Sequence, residues 1–199
     1  AEAQKFYPIL VEAIKSVASY QLRNRATVIG NICNSSPAGD TIGATIVYNG
    51  ALNIFGLDGK KTIPVREFFT GPGKNKLQPG DIVLSITLPI PPANHTGKYL
   101  KLGRNRLSDL SIVGVTAFGV KDSASKSGYR FSFAVASVAP VPFVPVKAEE
   151  VLATKSMSAE TIQEAAQAAM DSVNPIDDVR GSATYRRHMV RNLIKRATE

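Results

Sequence analysis

Between Tyr7 and Tyr20, Ile9, Leu10, Ala13, Ile14, Val17 and Ala18 recur at intervals of three and four, which predicts an amphipathic helix with Pro8 in its first turn. Ala26 to Ile32 reads differently, as a β-branched run interrupted at Gly30. It predicts a strand running into the small polar loop Asn34-Ser35-Ser36-Pro37-Ala38-Gly39. Thr41 to Tyr48 predicts a short buried helix, with Asp40 as its candidate N-cap and Asn49-Gly50 as the turn that ends it. Two β-like runs, 51–56 and 61–64, flank Leu57-Asp58-Gly59-Lys60, a hairpin signal. Val65 to Phe69 leads into Thr70-Gly71-Pro72-Gly73, where two glycines and a proline predict an irregular turn. Asp81 to Leu88 is apolar enough to predict a largely buried strand, which Pro89, Pro91 and Pro92 stop.

That proline cluster marks a boundary between units at 1–94 and 95–199. Beyond it, Lys98 to Leu102, Leu110 to Val120 and Tyr129 to Val138 read as three strands, the last two joined by the polar loop 121–128. Helical stripes follow at Lys147 to Ala153, Ser158 to Val173 and Ser182 to Ala197. Strands followed by helices, rather than alternating with them, predict an α+β unit built on a three-stranded antiparallel sheet.

Composition narrows the class. The 199 residues are 44% hydrophobic and 20% charged, as in ordinary globular chains. No apolar run approaches the roughly 18 residues of a membrane span, and the N-terminus lacks the basic and apolar regions of a signal peptide. A single cysteine, Cys33, excludes an internal disulfide and suits a reducing, cytoplasmic setting. The two histidines, His95 and His188, offer no metal constellation. The net charge is +8, and residues 180–199 supply five of it, with Arg180, Arg186, Arg187, Arg191, Lys195 and Arg196 against Glu199 alone. The basic residues lack interleaved aromatics, so a solvated or partner-facing helix is expected there and not a nucleic-acid surface.

Candidate chemistry concentrates at Thr27 to Asp40. Gly30 permits close backbone approach to a ligand, Asn31 and the Asn34-Ser35-Ser36 trio offer donors, and Asp40 offers an acceptor to a hydroxyl. The same residues also suit a plain capped connection.

Taken with that stretch, several ordered motifs resemble the FAD-binding medium subunits of the molybdenum hydroxylase family, the group of xanthine dehydrogenase, carbon monoxide dehydrogenase and hydroxybenzoyl-coenzyme A reductase. Arg25-Ala26-Thr27-Val28-Ile29-Gly30-Asn31-Ile32 is similar to the family's Thr-Ile-Gly-Gly-Asn segment, with Ile29 at its first glycine, and Ser36-Pro37-Ala38-Gly39-Asp40 follows in register. Phe68 to Gly73, Gly80-Asp81-Ile82-Val83, Lys101, the Arg104 to Val113 stretch and Asp177 to Arg187 are also similar, so the likeness spans nearly the whole chain.

The resemblance implies a fold of two parts: the C-terminal part of an FAD-binding α+β domain, then a small antiparallel sheet packed with helices. It implies that Thr27, Val28, Ile29, Gly30 and Asn31 serve the FAD diphosphate, that Asp40 accepts from a sugar or ribityl hydroxyl, that Val83 lies beside the isoalloxazine and that Lys101 lies near the ring or the phosphates. No side chain is expected to act as acid or base, because the cofactor carries the redox chemistry. The implied partners are an iron–sulfur small subunit and a molybdenum-binding large subunit. These would carry the iron–sulfur clusters and the molybdopterin, and the chain alone is expected to be inactive. The sequence does not begin with Met, and the family's subunit starts with a further glycine-rich FAD subdomain, so the site is expected to be incomplete here. The alternative is an interaction module of the same fold that docks on partner subunits without flavin.

Overall fold

Thr27 decides the first departure from these expectations. In the computed structural model, which describes residues 2–105 and 108–199, the β-branched run is not a strand. It is the helix α4 (Val28–Cys33), because the Thr27 hydroxyl accepts from the Gly30 N–H at 2.8 Å and nucleates a turn. A Cβ on Gly30 would come within 2.8 Å of that hydroxyl, so the glycine serves the cap. Three short helices precede it: α1 (Glu2–Phe6), α2 (Pro8–Ser16) and α3 (Tyr20–Arg23). The predicted first helix therefore ends four residues early. Ala18 enters the left-handed region (φ 41°), and the Arg23 guanidinium binds the Val17 and Ala18 carbonyls at 2.6 and 2.7 Å.

Helix α5 (Asp40–Val47) is buried along its whole length. Gly39 is its N-cap, and Asp40 is the first helical residue and makes no capping bond, correcting the expected cap. The predicted hairpin forms from β1 (Ala51–Gly56) and β2 (Gly59–Pro64), where Gly59 at φ 91° supplies the turn backbone. After α6 (Val65–Phe68), Pro72 and Gly73 form the expected turn, but Thr70 and Gly71 belong to β3 (Phe69–Gly71), which pairs with β4 (Lys74–Asn75) across a register shift. Strand β5 (Ile82–Thr87) pairs with β1 at the edge of a sheet ordered β2-β1-β5. Ile82 is 62% exposed and Leu84 55%, so the strand is not largely buried as its apolarity suggested; edge position overrides composition.

The second sheet, β6 (His95–Leu102), β7 (Val113–Lys121) and β8 (Tyr129–Ala136), is antiparallel in that order. Helices α7 (Val146–Thr154), α8 (Ala159–Ser172) and α9 (Ala183–Thr198) follow, the last two capped by Ser158 and Ser182. This sheet serves two cores. Val113, Val115, Ala117, Phe133 and Val135 pack on α7–α9, while Tyr99, Phe118, Val120 and Ala134 pack with α2, α5 and the first sheet. The architecture is mixed, with antiparallel sheets, as expected of an α+β chain. His95 begins β6 half-buried, its ring stacked on Phe118. Among the described residues no helix is long and apolar enough to cross a membrane, and no cluster of metal-ligating side chains occurs. Ala1, and Arg106 and Leu107 within the Arg104 to Val113 stretch, lie outside the described residues.

Candidate functional site

Strand periodicity brings the first polar cluster together. Tyr99 and Lys101 are two residues apart on β6 and so share a face, and both reach the N-terminus of α5. Tyr99 Oη donates to Asp40 Oδ1 at 2.5 Å and Lys101 Nζ donates to Asp40 Oδ2 at 2.9 Å. Asp40 is only 5% exposed. Its burial pushes the carboxyl up from the ordinary value, against the Tyr99 bond and the Lys101 charge that hold it down. Burial, and then the Asp40 charge, push the Tyr99 phenol well above its ordinary range.

Lys101 also donates to the Ser16 carbonyl at 2.9 Å, tying the cluster to the end of α2. Two of the three ammonium N–H groups are thus occupied within the protein. The side chain lines an open cleft of about 470 Å³ with Lys15, Arg104, Asn105, Ser108 and Asp109. Arg104 and Asp109 pair at 3.1 Å on its rim, and that bond holds the Asp109 carboxyl below its usual range.

Asn31 extends the network toward α4. Its Oδ1 accepts from both the amide and the hydroxyl of Thr41, at 3.3 and 2.7 Å, beside Asp40. Its Nδ2 donors have no protein acceptor among the described residues. The structure therefore brings Asn31 and Lys101 to neighbouring residues at the start of α5, Asn31 bonded to Thr41 and Lys101 to Asp40. Thr27, Val28, Ile29 and Gly30 form the exposed to half-buried first turn of α4, one turn from Asn31, and do not line the Lys101 cleft. Ile29 takes helical backbone, which a β-branched residue adopts without positive φ. Val83 is half-buried against the first core on β5, the strand that α4 touches. Of the Asn34-Ser35-Ser36 trio, the two serines are spent internally. Buried Ser35 accepts from Asn75 Nδ2 at 2.9 Å, Gly73 N–H binds the Ser35 carbonyl, and Ser36 Oγ accepts from Ala38 N–H.

Sequence reasoning assigned no role to Tyr99, which alternation from Lys101 could have flagged, and put Arg186 on the outer face of its helix. Arg186 instead turns inward and is 3% exposed. It pairs with Asp178 at 2.7 Å and donates to the carbonyls of Ile112 and Ser137 at 2.7 and 2.9 Å. Asp177 accepts from the Ala183 N–H at 2.6 Å, so the adjacent acids share the work of starting α9 and anchoring its arginine.

Residues 1–91 match the family model of the FAD binding domain in molybdopterin dehydrogenase, and residues 98–199 match that of the CO dehydrogenase flavoprotein C-terminal domain. The chain is 30% identical over 194 residues to the xanthine dehydrogenase FAD-binding subunit of Escherichia coli O157:H7, covering 97% of this chain and 66% of that one. It is 30% identical over 190 residues to the carbon monoxide dehydrogenase medium chain of Hydrogenophaga pseudoflava, covering 96% and 65%. It thus spans just under two thirds of the length of these relatives. The solved carbon monoxide dehydrogenase of Hydrogenophaga pseudoflava, in a form lacking the Mo-pyranopterin moiety, superposes with a TM-score of 0.92 at 31% identity, over 98% of this chain and 67% of that one. With its C-terminal half and most of its N-terminal half matched in this way, the chain belongs to the family of FAD-binding medium subunits of the molybdenum hydroxylases.

Proposed function

We propose that the chain is the electron-transfer part of a molybdenum-containing hydroxylase or dehydrogenase, binding FAD between iron–sulfur clusters on one partner subunit and an external acceptor. The observation that carries this reading is the two adjacent bonded pairs Asn31–Thr41 and Lys101–Asp40 at the start of α5, the second lining a basic cleft, in a chain whose first 91 residues match an FAD-binding domain. The donor set suits an anionic, hydroxyl-rich group. Among the described residues the first turn of α4 leaves the Val28 and Ile29 N–H groups without an acceptor, the Asn31 amide donors have none, and Lys101 has one N–H beyond its two protein partners.

In this reading Thr27, Val28, Ile29, Gly30 and Asn31 hold the diphosphate, and Val83 supplies an apolar contact to the ring system. Asp40 has both oxygens engaged and is buried, so its contribution is to hold the Lys101 ammonium in place. Lys101 then presents positive charge to the cofactor. Bound FAD supplies the redox chemistry, and the protein groups bind, orient and neutralise. We assign residues 1–94 to the second part of the FAD-binding domain and 95–199 to the C-terminal unit. The molybdopterin and the iron–sulfur clusters would sit on a large and a small partner subunit, and the chain alone would turn over no substrate. The lone Cys33 suits a cytoplasmic setting. The flavin-free docking module is not favoured beside an FAD-binding domain match.

The test is FAD titration of the purified chain, alone and in the three-subunit assembly, followed by the visible flavin band and by fluorescence quenching. Stoichiometric flavin in the assembly is expected. An assembly that forms without FAD overturns the reading.

A further inference from the structure

The motifs that the cofactor reading leaves unused converge on one cavity. Ser36-Pro37-Ala38, Pro72 of the β3–β4 tip, Leu110, Ala139-Pro140 and the 174–180 connection enclose about 260 Å³, a volume suited to one large apolar side chain. Its floor is rigid. Ser137 sits in the left-handed region (φ 67°), donates to the Ser111 carbonyl at 2.8 Å, and gives its own carbonyl to the buried Arg186. The loop above is tied down by the Ser137 N–H on the Pro37 carbonyl and by Gly73 N–H on the Ser35 carbonyl. The rim is apolar and exposed: Ile176 is 72% exposed and Leu110 46%. Arg180 also lines the cavity. It pairs with Asp178 at 3.5 Å through Nη1, while its Nε is shielded from solvent without an acceptor among the described residues.

A preorganised pocket with an exposed apolar rim and an orphan cationic donor is the anatomy of a protein contact in which one anchor side chain carries much of the affinity. We propose that this cavity seats an apolar side chain flanked by a carboxylate from a partner subunit, the carboxylate meeting Arg180. Charge supports that occupant, since five of the chain's eight net positive charges fall in residues 180–199. The proposal rests on the multi-subunit reading above.

The test measures dissociation constants of the FAD-loaded chain for the purified iron–sulfur and molybdenum subunits, using Leu110→Asp, Ile176→Asp, Arg180→Gln and Arg180→Lys. Leu110→Asp and Ile176→Asp should each weaken binding to one of the two subunits at least tenfold, with flavin content and melting midpoint unchanged. Arg180→Gln should weaken it and flatten its salt dependence, and Arg180→Lys should restore part of both. Wild-type dissociation constants for both aspartate variants overturn the proposal while leaving the flavin assignment standing. A wild-type chain that holds FAD yet binds neither subunit overturns the multi-subunit reading and this proposal together.

Discussion

Replacing Arg186 with methionine removes a side chain that joins α9, the end of β8 and the residue leading into β7. The buried guanidinium gives bonds of 2.7 and 2.9 Å to the Ile112 and Ser137 carbonyls and 2.7 Å to Asp178. Methionine fills much of the volume but donates to none of these acceptors. Two carbonyls losing a charged donor cost about 1–3 kcal/mol each. The Asp178 part is discounted toward the roughly 0–1 kcal/mol of solvated ion pairs, because its side chain is 27% exposed and keeps Arg180 as a partner. The expected loss is about 2–7 kcal/mol, a large share of the roughly 5–15 kcal/mol that holds most domains folded. In a chain of this length that corresponds to a drop of about 4–28 °C in melting midpoint.

Urea denaturation of the wild type, Arg186→Met, Asp178→Asn and the double variant measures this. The double variant should be less destabilised than the sum of the singles, since the two residues share one bond. The pH dependence has a definite sign. Burial pushes the Asp178 carboxyl up, but bonds from the Arg180 N–H and from Arg186 outweigh it and leave the group below its ordinary value. A depressed acid contributes stability above its unfolded pKa, near 3.9, and loses that contribution as pH falls through the folded value. The gap between wild type and Arg186→Met should therefore narrow as pH falls below about 4. An Arg186→Met variant within about 1 kcal/mol of wild type, or strict additivity in the double variant, would refute the assignment of Arg186 as a buried lock.

Three further outcomes are expected. Lys101→Met leaves Asp40 buried and unpaired, so stability should fall by about 3–5 kcal/mol at neutral pH in thermal melts. The fold already raises the Asp40 pKa by burial, and removing Lys101 takes away a charge that holds it down, so that loss should shrink as the pH is lowered and Asp40 protonates. Thr27→Ala removes the cap of α4 and should cost about 1 kcal/mol in urea titrations. Gly30→Ala attacks the same bond, so the pair should be subadditive. Gly43→Ala would drive a Cβ into the Thr116 hydroxyl and should cost about 1–3 kcal/mol, read as a lowered melting midpoint with little change in FAD content.

Periodicity was informative wherever one face of an element meets a core. The helices α8 and α9 appear within a residue or two of their stripes, with Ser158 and Ser182 as caps, and β6 to β8 follow the predicted runs. It misled where a single side chain arbitrates. Val28 and Ile29 favour strand by propensity, yet one Thr27 hydroxyl commits them to helix, and that bond is invisible to a pattern of apolar positions. Strand β5 has the composition of a buried strand but lies at an edge, because sheet order is a tertiary property. Arg186 was illegible for a similar reason. A basic residue in a basic run reads as solvated unless its partner is known, and Asp178 reaches it only because the 174–182 connection folds back beside α9.

The shared sheet explains why the Asp40 cluster and the 174–180 cavity belong to one mechanical unit. Alternation along β7 sends Val113, Val115 and Ala117 into the helical core and Thr116, Phe118 and Val120 toward α5. Tyr99 and Lys101 reach Asp40 from the neighbouring strand, and Arg186 grips the carbonyls of Ile112, just before β7, and Ser137, just after β8. A shift of these strands by one residue would exchange the two faces of each and withdraw the Asp40 partners together with the cavity floor. The carboxylate–lysine pair and the buried arginine thus fix the same register from opposite faces. That gives buried charge a use that an apolar replacement would not supply, since an apolar pair would pack nearly as well in either register.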